Sequence, residues 1–184
     1  GALVGALVLV AVTSGACGRT PAPAPTDPAP LPTELVGLTV IPVEQRSPAP
    51  PLSGPTLTGG TADVGTLIGE PVIVNSWGSW CEPCREEIPL LRSISAERPA
   101  VAIVGLDVQD RTESAKQFAD ETGMTWPSIE DPNGQLLAQI PDVPPKALPS
   151  TIAIDRRGRI AARVIGPIKE PMVAPLLAAA RSGG

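Results

Sequence analysis

Histidine and tyrosine are absent from this chain, and phenylalanine occurs once in 184 residues. Without histidine there is no Ser-His-Asp triad, no Cys-His pair and no His-based metal site. Aromatic residues make up 2% of the chain, so Val, Ile, Leu and Ala must fill the core, and a hydrophobic content of 42% is enough to do so. Basic residues are also in deficit: 14 Lys and Arg against 19 Asp and Glu, a net charge of −5. Nothing resembles the basic footprint of a nucleic-acid binder. Cysteine is scarce: Cys17, Cys81 and Cys84. An odd number needs one explanation for the pair and another for the singleton. The aromatics are Trp77, Trp80, Phe118 and Trp126, and two of them flank the cysteine pair.

Residues Gly1 to Val12 form a run of small apolar residues, and no charge precedes Arg19. The run is shorter than the roughly 20 residues of a membrane span. It reads as the hydrophobic region of a secretory signal. The positive region that ordinarily precedes it is missing, as expected if the sequence starts inside the signal. Ser14-Gly15-Ala16 before Cys17 resembles a bacterial lipobox, although an aliphatic residue usually stands where Ser14 is. That resemblance implies cleavage before Cys17 and acylation of its sulfur, with residues 1–17 as the signal segment. The alternative is a plain secretory signal, or a retained anchor, with an incidental cysteine. Either reading places the rest outside the cytoplasm, where a dithiol needs its own electron supply. Residues 18–45 read as a linker, because Pro21-Ala22-Pro23-Ala24-Pro25 favours polyproline II, a semi-rigid spacer. The folded domain is expected over residues 46–184, entered through the Pro-rich stretch Ser47 to Pro55.

Within it, strands and helices alternate. A hairpin or extended piece is expected around Leu52–Thr58, and Val72–Trp77 reads as a buried strand. A helix follows from Cys84 to about Arg98, with Ile88, Leu91 and Ile94 at helical spacing and Pro89 kinking it. Val101–Val108 is a second apolar strand, and Glu113–Thr122 a second helix stopped by Gly123. Thr151–Ile154 and Ile160–Val164 read as a hairpin turned at Asp155-Arg156-Arg157-Gly158. Glu170–Arg181 closes the chain as a helix. This order predicts an α/β domain: a central mixed sheet with helices on both faces.

The run Trp80-Cys81-Glu82-Pro83-Cys84 lies where a strand gives way to a helix. Residues i and i+3 of a first helical turn lie about 5–6 Å apart at Cβ, within reach of a disulfide. Cys81 faces the free N–H groups and the positive end of the helix dipole, which favour its thiolate. Cys84, one turn in, is the more buried, so Cys81 is expected to attack and Cys84 to resolve. Pro83 suits the first turn, where its missing N–H costs little. Two plainer readings compete. Half a zinc site would need two more Cys or His ligands, and only the distant Cys17 remains, so no metal is expected. A purely structural disulfide closing so short a loop would contribute little stability.

Asn75-Ser76-Trp77-Gly78-Ser79-Trp80-Cys81-Glu82-Pro83-Cys84-Arg85-Glu86-Glu87-Ile88-Pro89 resembles the active-site segment of the TlpA/ResA-like, membrane-tethered thioredoxin-fold proteins of the AhpC/TSA-Redoxin superfamily. Gly105-Leu106-Asp107-Val108 resembles their next strand. Gly123-Met124-Thr125-Trp126-Pro127 and Asp131-Pro132-Asn133-Gly134 resemble their central insert. Leu148-Pro149-Ser150-Thr151 and Ile154-Asp155-Arg156-Arg157-Gly158 resemble their cis-proline loop and hairpin. The resemblance runs from about Arg46 to Ala180. It implies a thioredoxin fold with an N-terminal hairpin extension and a central insert. It also implies a cis Pro149 with Leu148 offering its backbone to an extended substrate, and a buried Glu87 handling the proton of Cys84. Asn75 stands where many thioredoxins carry a buried acid. Trp80 and Pro83 are expected at the substrate-facing rim. The chain departs from the family in a lengthened, Pro-rich stretch, Pro141 to Ala147.

Together these features predict an extracytoplasmic thiol-disulfide oxidoreductase that needs no cofactor. Its expected partners are protein thiols or disulfides, apocytochrome c among them, a membrane electron donor or acceptor, and the membrane itself through lipid. It is expected to be a monomer. A peroxiredoxin-like thiol peroxidase would need a Thr two or three residues before its cysteine, where Ser79 and Trp80 stand. A redox-inactive thioredoxin-fold binding module would more naturally have lost a cysteine, and both are present.

Overall fold

The computed structural model describes residues 1–2, 35–98 and 100–183. Cys17 and the rest of residues 3–34, with most of the signal-like and Pro/Ala-rich segments, lie outside the described residues. The strands are β1 (Leu38–Val40), β2 (Ser53–Pro55), β3 (Thr61–Asp63), β4 (Val72–Trp77), β5 (Ala102–Val108), β6 (Ser128–Asp131), β7 (Ser150–Ile154) and β8 (Ile160–Ile165). The α-helices are α1 (Glu82–Glu97), α2 (Thr112–Thr122) and α3 (Glu170–Arg181). Six strands form one sheet in the order β1-β8-β7-β4-β5-β6, and β2 and β3 form a separate hairpin.

The sheet is mixed. β4, β5 and β6 run parallel, joined through α1 and α2, while β7 lies antiparallel to β4. Two right-handed crossovers stepping the same way across a sheet place both helices on one face. The side chains follow. Ile73, Trp77 and Ile103 point into a cluster with Ile88 and Leu91 of α1, Phe118 of α2 and Leu176 of α3. Val72, Val74, Val104, Leu106 and Val108 point the other way. Among the described residues, short 3₁₀ turns, which contribute Val64 and Leu137, and the β2–β3 hairpin stand where helices were expected on that second face.

Two strands depart from the sequence expectation. β1 falls inside the stretch assigned to the linker, yet Leu38, Thr39 and Val40 pair with Val164, Arg163 and Ala162. Leu38 packs against the helical cluster, and that burial draws the segment into the sheet. β6 lies in the region read as an insert and extends the parallel edge. The spacer therefore gives way to folded chain before residue 45, and Arg46 fastens this entry. Its guanidinium donates to Asp155 Oδ2 at 3.0 Å and to the Ile41 carbonyl at 3.0 Å. Asp155 is fully buried and also receives Arg159. Its burial works to raise its pKa, but the Arg159 and Arg46 hydrogen bonds outweigh this and hold it below the usual range.

The parallel strands meet under Trp77. Its indole is fully buried, stacks on Phe118 with centroids 5.0 Å apart, and donates from Nε1 to Ser128 Oγ at 3.3 Å. Gly105 leaves the space for this contact: a Cβ there would lie 2.1 Å from Ser128 Oγ and 2.7 Å from Trp77 Nε1. Both neighbours are packed and cannot retreat. Gly105→Ala is therefore expected to lower unfolding free energy by about 1–3 kcal/mol, the usual cost of overpacking. Adding Ser128→Gly should restore part of the loss in urea titration, whereas a neutral Gly105→Ala would refute this packing account.

Candidate active site

β4 ends at Trp77, and Gly78 to Trp80 carry the chain to Cys81, the N-cap of α1. Pro83 lies in the first helical turn, so α1 begins two residues earlier than the sequence reading placed it. The helix runs on through Pro89, which lacks the N–H that would bond the Arg85 carbonyl. Cys81 and Cys84 are joined by a disulfide, with Cα atoms 5.3 Å apart. Both are buried: Cys81 is 4% exposed and Cys84 fully covered. The expected inequality between them is thus present but small in the oxidised pair. Trp80 is 57% exposed. Its indole folds back over Gly78, where a Cβ would lie 2.7 Å from Nε1. Pro83 is also exposed.

The second wall comes from β7. Ser76 is in register with Ser150. The Ser76 hydroxyl donates to the Ser150 carbonyl and accepts the Ser150 N–H, both at 3.1 Å. The end of β4 is thereby tied to the start of β7. The chain enters β7 through a cis Leu148–Pro149 bond, with Pro149 buried and Leu148 partly exposed. The lengthened loop before it is anchored from β8. Arg163 donates to the Pro141 carbonyl at 2.9 Å and pairs with Asp142 at 2.9 Å.

Glu87 lies beneath the cysteines on the inner face of α1, 2% exposed. Asn75 Nδ2 donates to its Oε1 at 2.7 Å, and the Ile168 N–H donates to its Oε2 at 2.8 Å. Asn75 Nδ2 also reaches Thr151 Oγ1 at 3.2 Å, while its Oδ1 has no partner. One carboxyl thus joins β4, α1 and the segment before α3. Burial pushes the Glu87 pKa up to about 7, against the opposing pull of the Ile168 and Asn75 hydrogen bonds. A protonated Glu87 would supply the donor that Asn75 Oδ1 lacks if the amide turned over. The sequence does not reveal the Ile168 contact, because that donor is a backbone group 81 residues away.

A second buried acid lies outside the expected site residues. Asp107 sits on β5 opposite Trp77, 3% exposed. Burial first, then the charge of Asp110, raises its pKa to about 8. The available signal was an aspartate inside an otherwise apolar strand. Among the described residues no group of three or more His, Cys, Asp or Glu could hold a metal ion.

The AhpC/TSA family model matches residues 46–163, which takes in the cysteine pair, the cis proline and most of β8. The chain belongs to the AhpC/TSA family. It is 33% identical over 145 residues to the thiol:disulfide interchange protein DsbE homolog of Paracoccus denitrificans, covering 77% of this chain and 73% of that one. It is 30% identical over 112 residues to the thiol-disulfide oxidoreductase ResA of Bacillus thuringiensis, covering 60% of this chain and 63% of the relative. Among solved structures, a DsbF homologue from Corynebacterium diphtheriae superposes with a TM-score of 0.70 at 27% identity, over 77% of this chain and 92% of that one. The structural neighbours share the thioredoxin fold.

The raised pKa of Glu87 has a signed consequence for stability. Its folded value, about 7, lies above the ordinary 4.5, so the fold favours the neutral acid. That contribution is complete below pH 4.5 and is lost as pH rises through about 7. A difference of about 2.5 units corresponds to about 3 kcal/mol. In the oxidised protein, the stability gap between wild type and Glu87→Gln should shift in favour of the variant by about this amount from pH 4.5 to 8. Guanidinium unfolding at several pH values reads it, and parallel curves would show that Glu87 is not held neutral. The slope left in the variant would belong to Asp107.

Proposed function

We propose that this protein is an extracytoplasmic thiol-disulfide oxidoreductase. The observation that carries the reading is the Cys81–Cys84 pair at the N-terminus of α1, at the sheet edge where the cis Leu148–Pro149 bond also enters. Names of relatives such as ResA and DsbE support it. In the reducing direction, the Cys81 thiolate attacks one sulfur of a substrate disulfide and displaces the other as a thiolate, leaving a mixed disulfide. The Cys84 thiolate then attacks the Cys81 sulfur, forms the disulfide described here and releases the second substrate thiol. Oxidation of substrate thiols is the same sequence reversed.

Unequal roles follow from position. Cys81, at the N-cap, has slight exposure and the helix N-terminus to stabilise its charge. Cys84 is fully covered and can lose its proton only to a neighbour inside the protein. Glu87 follows it by one turn of α1, and a carboxyl titrating near 7 can both take and return a proton at neutral pH. Leu148 offers main-chain groups to an extended substrate strand, with Trp80 and Pro83 as apolar rim. Substrates would be secreted-protein cysteines, apocytochrome c thiols among them. Acylation of Cys17 would hold the domain at a membrane, near a membrane-borne partner that resets the pair. Among the described residues no helix is long and apolar enough to cross a membrane.

Equilibration with glutathione buffers, followed by thiol alkylation, should reveal one reversible two-electron couple. Cys81→Ser should abolish insulin reduction, and absence of a reversible couple would sink the proposal. A potential near −250 mV or lower would mark a reductant, and one near about −120 mV an oxidant. For the anchor, Cys17→Ala should release the protein from the lipid-modified, detergent-phase fraction. Retention of the lipid in that variant would overturn acylation at Cys17.

A further inference from the structure

Cys81 is reached through a tight turn in which its N–H bonds the Gly78 carbonyl at 3.0 Å. Ser79 lies inside that turn and is gripped from the loop after β5. The Asp110 carboxylate accepts the Ser79 N–H on Oδ2, and the Ser79 hydroxyl on Oδ1 at 2.9 Å. Oδ1 also accepts the Arg111 N–H at 2.8 Å. Three donors thus converge on one side chain, carried by the loop between β5 and α2 rather than by the segment that holds the cysteines.

Asp107 stands behind Asp110. It is nearly fully buried, and its Oδ1 meets no donor. Three acids face it: Asp110 from the loop, and Glu130 and Asp131 from β6. Glu130 already accepts Thr112 Oγ1 at 2.6 Å. Asp131 is taken up by the N–H groups of Gln135, Leu136 and Leu137. Of the three, Asp110 places the charge that weighs most on Asp107. Burial among these acids favours the neutral form of Asp107. We propose that Asp110, backed by the buried Asp107, is a positioning residue for Cys81: it clamps Ser79 and so sets where the attacking sulfur lies against the N-terminus of α1. This rests on the reading of Cys81 as the attacking thiol.

The clamp explains a buried strand aspartate that no salt bridge among the described residues compensates. With Asp107 neutral, no second charge crowds Asp110, and its two oxygens hold Ser79. When Asp107 loses its proton, near pH 8, two carboxylates confront each other and Asp110 is pushed away from the Ser79 turn. Cys81 then loses its alignment with the helix N-terminus.

The test is the rate at which iodoacetamide alkylates Cys81 in the reduced chain, read by mass spectrometry from pH 5 to about 9.5. A thiol moved off a helix N-terminus regains roughly one unit of pKa, so Asp110→Ala should slow alkylation about tenfold at neutral pH. Asp110→Asn, which keeps one accepting oxygen, should slow it less. If Asp110 acted only through its charge, both changes would speed alkylation, and that result overturns the clamp. The wild-type rate should fall below a single-thiolate curve above about pH 8, and Asp107→Asn should remove that departure; coincident profiles also overturn the clamp. Should Asp110→Ala not fold, the Asp107→Asn profile and a smaller slowing in Ser79→Ala decide the matter. Failure of the wild-type pair to exchange with glutathione would overturn the oxidoreductase reading and the clamp with it. A normal couple with unmoved rates would overturn the clamp alone.

Discussion

The paired hydrogen bonds between the Ser76 hydroxyl and the Ser150 main chain are the constraint on which the site depends. They lock the register of two antiparallel strands at the edge where β4 stops and β7 starts. A slip of one residue would turn Asn75 and Thr151 to the opposite face and break their contact with each other and with Glu87. With the register held, the chain leaving β4 and the chain entering β7 emerge side by side. The cysteines and the cis proline, some 65 positions apart in sequence, need no further device to share one edge.

Around that edge the interior is polar in a way the rest of the core is not. Asn75, Glu87, Thr151 and Asp107 are all buried on the helical face of the sheet. Burying such groups is costly unless they are hydrogen-bonded or neutral. The protein uses both remedies at once: Glu87 and Asp107 are pushed toward their neutral forms, and Glu87 also receives two donors. Elsewhere Asp155 follows the opposite course and stays charged between two arginines. The difference is one of purpose. A carboxylate pinned by guanidinium groups fastens chain segments, whereas a carboxyl poised near neutrality can move a proton.

Much of this was legible in the residues. Val72–Trp77 announced a buried strand by composition. The Cys-x-x-Cys spacing announced the pair, and Gly123 announced the end of α2, where it takes the left-handed conformation at φ 68°. What was hidden is instructive. Ser128 to Asp131 is short and half acidic, and it becomes a strand only because β5 offers a free parallel edge. Leu38 to Val40 follows a proline-rich stretch and is drawn in by β8. Among the described residues the second face carries short turns in place of α-helices, because residues 132–148 fold as turns nucleated by Asp131. The companions of Glu87 and Asp107 are invisible to periodicity, since they are set by register between distant strands.

The scarcity of rings has a last consequence, in optics. With no tyrosine, emission excited in the near ultraviolet comes from three indoles. Two lie on the approach to Cys81: Trp77, at the end of β4, is sealed against Phe118, and Trp80, in the turn, lies largely in solvent. A disulfide quenches an excited indole beside it, whereas a pair of thiols does so far less. The same economy that concentrates the large side chains around the cysteines therefore ties the brightness of the protein to the oxidation state of its own bond.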